Sequence, residues 1–365
     1  MTGELAALVL HRFDEADVPY CIWKGSNHLA QGLVGQGDLD VLVPEHRLEA
    51  ARHVLRETGF LRADHTDPED QPGLEDYFGA DGEALVQLQL YSEPIVGDML
   101  GGWWRVPRAD EILASRCRAE QGPFCAAPTH QAVLLLVRVA LSARHRDVLA
   151  RPLWRRTHTR WAADWRQLLQ ETTLDEVRSL SAKWYGPELA DCVTVCGEDL
   201  NRGGLLLARS VIHQKAEAVR DGRGAAARWT RHAVLIAGRL NRRLLGLPWF
   251  SKRRFPGGGV ITLFTGPFAE AAADQTFALL NAKFDSFRVK IPAGSSRTRR
   301  VAALRRVHAA NRARRRGLLV ICSAQGPVAI EPDSWTVTEL PEAGDSMRSA
   351  LTALWRQVPT PKFLN

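Results

Sequence analysis

WKGSNHLAQGLVGQGDLDVLV, residues 23–43, is the stretch on which the fold turns. It begins where an apolar strand, Tyr20–Trp23, ends and Gly25-Ser26 opens a turn. About a dozen residues later Gly37-Asp38-Leu39-Asp40 leads into a second apolar strand, Leu39–Val43. Successive side chains on a strand point to opposite faces, so Asp38 and Asp40 share one face while Leu39, Val41 and Val43 take the other, as burial in a core requires. Two carboxylates side by side repel each other unless a divalent cation sits between them, and such oxygen ligands suit Mg2+ bridging nucleotide phosphates. The Gly-Ser turn offers backbone N–H groups and a hydroxyl to a triphosphate. Lys24 either steadies those phosphates or lies outside the site. A surface turn ahead of an ordinary strand also accounts for GDLD by itself; the preceding KGS, at this spacing and with the two strands in order, favours the site.

Working outward, residues 4–16 read as a helix, Asn27–Leu33 as a helical turn, and Glu45–Thr58 as a helix with Leu48, Ala51, Val54 and Leu55 at helical spacing. Ala84–Tyr91 alternates as a strand. Residues 1–125 are therefore expected to form a small α/β domain. From 126 to 251 the pattern is helical: His130–Ser142, apolar on most sides, then Thr159–Glu171, Leu174–Trp184, Glu188–Asn201 and the basic amphipathic Arg223–Leu245. KRRFPGGG, residues 252–259, breaks it and marks a boundary. Residues 258–365 follow with a strand at Val260–Phe264, a helix at Ala271–Phe284, a very basic helix at Thr298–Arg316 and a strand at Leu318–Cys322, an order that fits a parallel sheet. The expected class is a multidomain α/β protein with a helical middle.

The Gly-Ser turn followed by Asp-x-Asp resembles the signature of the nucleotidyltransferase superfamily of polymerase-beta-like enzymes. That resemblance implies that Gly25 and Ser26, flanked by Lys24 and Gly37, bind phosphate, and that the catalytic Asp38 and Asp40 bind metal. The superfamily usually carries a third carboxylate on a later strand, which helps activate the attacking hydroxyl. The matching strand here, ALVQLQLY, offers Gln87 and Gln89 instead. Glutamine is no general base and a poor Mg2+ ligand; Asp76, Asp81 and Glu83 lie just before that strand as replacements. The strand also looks like the His-x-His strand of bacterial proteins that fuse such a domain to a thymidylate-kinase-like one, with both histidine positions changed.

Residues 258–280, GGVITLFTGPFAEAAADQTFALL, resemble the opening of thymidylate-kinase-like P-loop proteins: apolar strand, Gly-Pro-Asp-Gly-x-Gly-Lys-Ser-Thr, helix. Val260–Phe264 matches the strand and Gly266-Pro267 the loop start. Beyond that, Phe268 replaces the acid, Ala269 and Ala271 the glycines, Ala272 the lysine and Ala273 the magnesium hydroxyl. A P-loop needs those glycines to wrap phosphate, the lysine to neutralise it and the hydroxyl for Mg2+, so no phosphoryl transfer is expected from this half. Ser323-Ala324 likewise stands where a later strand of that family ends in Asp-Arg. An unrelated α/β domain is the alternative.

Composition narrows the rest. The 365 residues are 45% hydrophobic and 24% charged, with 48 Lys plus Arg against 41 Asp plus Glu, a net +7 that suits anionic partners or a merely arginine-rich surface. Six scattered cysteines suggest reduced thiols and a cytoplasmic protein, without a zinc site. No signal peptide is apparent at the amino terminus, and no apolar run is long enough to span a bilayer. Two Arg-rich stretches, Arg144–Arg166 with Trp154, Trp161 and Trp165, and Arg297–Arg316, could grip RNA or be solvated helix faces with core tryptophans. The expectation is a Mg2+-dependent nucleotidyltransferase-like enzyme using an NTP and a small-molecule or carrier-bound acceptor. A scaffold pseudoenzyme and an RNA-binding module are the alternatives.

Overall fold

The structure, a computed structural model, describes residues 4–65, 71, 73–81, 84–98, 102–106, 108–120, 122–142, 151–218, 253–254, 260–265, 269–281, 286–291, 319–324 and 336–339. Helix α1 (Glu4–Glu15) buries Ala6, Val9, Leu10 and Phe13, and α3 (Leu48–Glu57) buries Ala51, Val54 and Leu55, each a single apolar stripe at helical spacing. Between them run β1 (Cys21–Lys24), the short α2 (Leu29–Leu33) and β2 (Asp38–Leu42). The strands β3 (Leu61–His65), β4 (Leu74–Asp81) and β5 (Ala84–Tyr91) follow, then β6 (Ile95–Asp98), β7 (Gly102–Arg105), α4 (Ala109–Ala114), β8 (Cys117–Arg118) and β9 (Phe124–Cys125).

Seven of these strands form one mixed sheet in the order β3-β4-β5-β2-β1-β9-β8, with β2/β5 and β1/β9 parallel and the other pairs antiparallel. Its two faces are packed separately, as strand alternation dictates. Tyr20, Ile22, Leu39, Val41, Val43, Leu88 and Leu90 meet α1 and α3 in one apolar cluster. Cys21, Trp23, Leu42 and Tyr91 join the other cluster, built from the helices that follow. Asp38 and Asp40 have the same parity as Leu42, so the carboxylate face of β2 is the face turned toward those helices. Each large apolar side chain so buried contributes about 1.5–3 kcal/mol.

The helices are α5 (Pro128–Ser142), α6 (Arg151–Glu171), α7 (Leu174–Tyr185), α8 (Pro187–Cys196) and α9 (Arg202–Lys215). Helix α5 is central: residues 130–137 and 139–141 are buried, and only Arg138 interrupts that run. Helix α7 starts on a reciprocal cap, with Glu176 N–H donating to Thr173 Oγ1 (3.2 Å) and Thr173 N–H to Glu176 Oε2 (2.8 Å). After α9 the chain returns to the strands. The two-residue β10 (Glu217–Ala218) pairs antiparallel with β7, beside an edge-on contact of Trp104 with His213.

Several boundaries differ from expectation. Lys24 belongs to β1 and Asp38 to β2, so the turn between them is shorter than expected. Helix α6 begins at Arg151, ahead of Thr159, and Gly197, at φ 57°, follows the end of the helix expected over Glu188–Asn201. Strand β4 was not apparent from periodicity because acidic residues occupy three of its eight positions.

In the last third, β11 (Arg253–Arg254) extends the main sheet beside β3. Strands β12 (Val260–Thr265), β13 (Ser286–Ile291), β14 (Leu319–Ala324) and β15 (Thr336–Glu339) pair in parallel in the order β13-β14-β12-β15, and α10 (Ala269–Asn281) follows β12. The two strands read from the sequence thus lie side by side in one sheet. The Gly266-Pro267-Phe268 loop, Glu83, Arg144 and Arg146, and the helices expected over Arg223–Leu245 and Thr298–Arg316 fall outside the described residues.

Candidate active site

The site is built where β1 ends. An irregularity in the β1/β2 register between Ile22 and Lys24 brings Lys24 opposite Asp40. Gly25 then takes φ 74°, ψ 25°, the left-handed region. A Cβ there would meet nothing within 4 Å, so glycine is required by the backbone angle and not by crowding. The chain continues as a short 3-10 turn, Ser26–His28, running into α2.

Lys24 Nζ lies 2.8 Å from Asp40 Oδ1 and donates to the Tyr91 hydroxyl at 2.9 Å. Its ammonium also stands over two rings, 5.0 Å from the Trp23 centroid and 4.9 Å from that of Tyr91. The Tyr91 hydroxyl is 3.1 Å from Asp40 Oδ1 and 2.9 Å from Gln89 Oε1. Behind it, Gln87 Nε2 and Gln89 Nε2 both donate to Asp76 Oδ1, at 2.9 and 3.2 Å. Burial pushes the Asp40 carboxyl above its usual range, against the pull of Lys24, and neighbouring Asp38 adds to the push. Burial, with Asp40 close by, also raises the Tyr91 phenol.

Around this corner opens a polar cleft of about 300 Å3. Lys24, Gly25, Gln36, Gly37, Asp38 and Asp40 line one wall. Helices α5 and α6 supply the other: Gln131, Leu134, Leu135 and Arg138, then Arg160, Trp161, Asp164 and Leu168. The walls are joined at Asp164, which accepts from Asn27 Nδ2 at 2.6 Å and lies 3.4 Å from His28 Nε2. Asp38 is exposed to the cleft, whereas Asp40 is only 7% exposed.

Of the residues expected at the site, Lys24, Gly25, Gly37, Asp38 and Asp40 come together on the cleft. Ser26 does not line it: its hydroxyl donates to Gln131 Oε1, and Gln131 Nε2 donates on to Ala126 O at 2.6 Å. The repulsion expected between the two aspartates is answered from inside the fold by the ammonium of Lys24. Gln87 and Gln89 pair with Asp38 and Asp40 across β2/β5, a register the sequence reading did not specify. Asp76 sits one strand further away, 1% exposed and bonded to both glutamines, so it does not fill the place of a third carboxylate.

Among the described residues no group of three or more His, Cys, Asp or Glu side chains is placed to hold a metal ion. Two carboxylates still fit Mg2+ when substrate phosphates supply further oxygens, the usual manner in which this ion is held. The sequence reading missed the helical wall. Arg160 and Trp161 lay within the Arg- and Trp-rich stretch but were not separated from its core members; Trp165, by contrast, is fully buried and donates to Gly197 O at 2.9 Å. Arg138, the one Lys, Arg, Asp or Glu in α5, was the signal available.

No family model matches the chain, and no curated protein matches it. Among solved structures, JHP933 from Helicobacter pylori aligns with 58% of this chain and 88% of its own, at 12% identity and a TM-score of 0.24. No helix among the described residues is long and apolar enough to cross a membrane. Cys21, Cys117, Cys125, Cys192 and Cys196 are free thiols.

Proposed function

We propose that the chain is a Mg2+-dependent nucleotidyltransferase-like enzyme that transfers a nucleoside monophosphate from an NTP to a small-molecule or carrier-bound acceptor. The observation that carries this reading is the convergence of Asp38 and Asp40 with Gly25, Gly37 and the two arginines, Arg138 and Arg160, on one cleft. Carboxylates on one wall and guanidinium groups on the other match the two charge signs of a metal–triphosphate complex. Asp38 and Asp40 would hold the ion, which when bound supplies charge neutralisation at the phosphates. Gly25 allows close backbone approach, and Arg138 and Arg160 neutralise phosphate oxygens from the helical side. Trp161 offers a ring face to a base. In the transfer an acceptor oxygen would form a bond to the α-phosphorus while the bond to the β-phosphate oxygen breaks, pyrophosphate leaving and the proton of a hydroxyl acceptor passing to solvent.

For residues 258–365 the parallel pairing of β12 with β14 supports a degenerate kinase-like domain. Ala273, where the resemblance puts the magnesium hydroxyl, is fully buried, so this position serves packing.

A second reading, a scaffold with a decayed nucleotide site, is favoured by Gln87, Gln89 and the internal pairing of Asp40 with Lys24. The deciding test is thermal stabilisation by each of the four NTPs, with and without Mg2+, in the wild type, Asp38→Asn and Asp40→Asn. A bound nucleotide raises stability by mass action. The enzyme reading expects Mg2+-dependent stabilisation that both variants lose; a wild type that no nucleotide stabilises under any metal condition leaves only the scaffold.

A further inference from the structure

We propose that Lys24 is a built-in cation: its ammonium serves the Asp40 side of the carboxylate pair, so the cleft accepts at most one divalent ion, and accepts it tightly only together with a triphosphate. The argument begins with what holds the ammonium. It has Asp40 Oδ1 at 2.8 Å, the Tyr91 hydroxyl at 2.9 Å and two aromatic faces at 4.9 and 5.0 Å. The side chain is 16% exposed, that of Asp40 10%. A surface lysine swings freely in water; this one is fixed by the strand irregularity at its root and by four groups at its tip.

Its charge then governs what else can enter. Asp38, Asp40 and Lys24 together carry a single net negative charge. A divalent ion arriving alone would meet two carboxylates, one of them already engaged, and would be repelled by an ammonium on the same wall. Displacing Lys24 would leave a partly desolvated ammonium without its carboxylate and its ring contacts. An ion that arrives on a triphosphate brings its own oxygen ligands and several negative charges. Asp38, the exposed member of the pair, meets it together with the side of the Asp40 carboxylate away from Lys24, and Lys24 can stay on Oδ1.

The metal half of this inference is independent of the proposed activity; the triphosphate half rests on it. The experiment is a Mn2+ titration of the full chain, free ion being read by electron paramagnetic resonance. The wild type is compared with Lys24→Met, Lys24→Arg and the double variant Lys24→Met with Asp40→Asn, each checked for folding by circular dichroism. Removing the ammonium is expected to tighten Mn2+ binding about tenfold or more, Lys24→Arg to leave it weak, and the double variant to lose the gain. If Lys24→Met does not fold, Lys24→Gln takes its place. Equal Mn2+ affinity in wild type and Lys24→Met overturns the proposal, as does a gain that survives Asp40→Asn. In a second arm, α,β-methylene analogues of the four NTPs are added: one Mn2+ per wild-type chain is expected, and two overturns the single-ion claim. If no analogue binds, the enzymatic reading falls, while the nucleotide-free titration still decides the role of Lys24.

Discussion

The two walls of the cleft solve the same electrostatic problem differently. On the strand wall the charges are close and mostly cancelled from within, Lys24 against Asp40, with Tyr91 between them. On the helical wall Arg138 and Arg160 stand on separate helices, α5 and α6, and both line the cleft. A wall whose charges already satisfy one another is preorganised and changes little when a ligand arrives. A wall that presents guanidinium groups toward the cleft gains most of its interactions only with the ligand. The strand wall is thus suited to fixing geometry, and the helical wall to supplying affinity.

The largest effect expected from this contrast is on the strand wall. Asp38→Asn or Asp40→Asn should weaken Mg2+–NTP binding by about 100-fold, roughly 2.7 kcal/mol, in a calorimetric titration. Variants that bind as well as the wild type would break the assignment. The same two substitutions should diverge in stability. Asp40→Asn leaves Lys24 without its carboxylate and should cost about 2–3 kcal/mol in denaturant unfolding, the buried-pair penalty reduced for partial exposure. Asp38→Asn, at an exposed position, should stay within about 0.5 kcal/mol.

On the other wall, Arg138→Ala and Arg160→Ala should each weaken triphosphate binding by about 10- to 100-fold, as expected for charge-assisted hydrogen bonds of about 1.5–3 kcal/mol. They should also flatten its salt dependence. If only the salt slope changes, the arginines steer the ligand and do not hold it. The smallest effect concerns the frame of the helical wall. Burial holds His130 below the ordinary histidine range, against the opposing pull of Glu111. The folded state therefore binds fewer protons there than the unfolded one. The associated stability is present above the ordinary value of about 6.5 and is lost as pH falls below it toward the depressed folded value. His130→Gln should remove part of that acid sensitivity, read as a smaller decline in melting temperature between pH 7 and pH 5.

The parts of the site that lie on one strand were readable in the sequence, because strand alternation is rigid: Asp38 and Asp40 on one face, Leu39 and Val41 on the other. That Gln87 and Gln89 share one face of their strand was also readable from alternation, but their pairing with those aspartates was not. What pairs with what at sequence separations of 67 or 105 was not readable either. Neither the Lys24 contact with Tyr91 nor the Ser26 contact with Gln131 has a local periodicity that announces it. Strand β4 escaped for a related reason. Glu75 in it is held by Arg52 from α3, besides the Tyr77 hydroxyl 2.9 Å away on the same strand, so its acidic look reflects a partner on another element and not a loop.

One consequence of the buried network lies in the direction in which its protons are given. A lysine ammonium only donates, and an ionised carboxylate only accepts. Asp76 therefore fixes the amide of Gln89 with its nitrogen inward, which turns Oε1 toward Tyr91. The phenol, receiving from Lys24, has one proton to give, to Gln89 or to Asp40. Every donation along the Gln89 branch therefore runs from the cleft toward the interior. The row of polar side chains beneath the cleft is thus a one-way ladder of donations that anchors a positive charge at the strand wall.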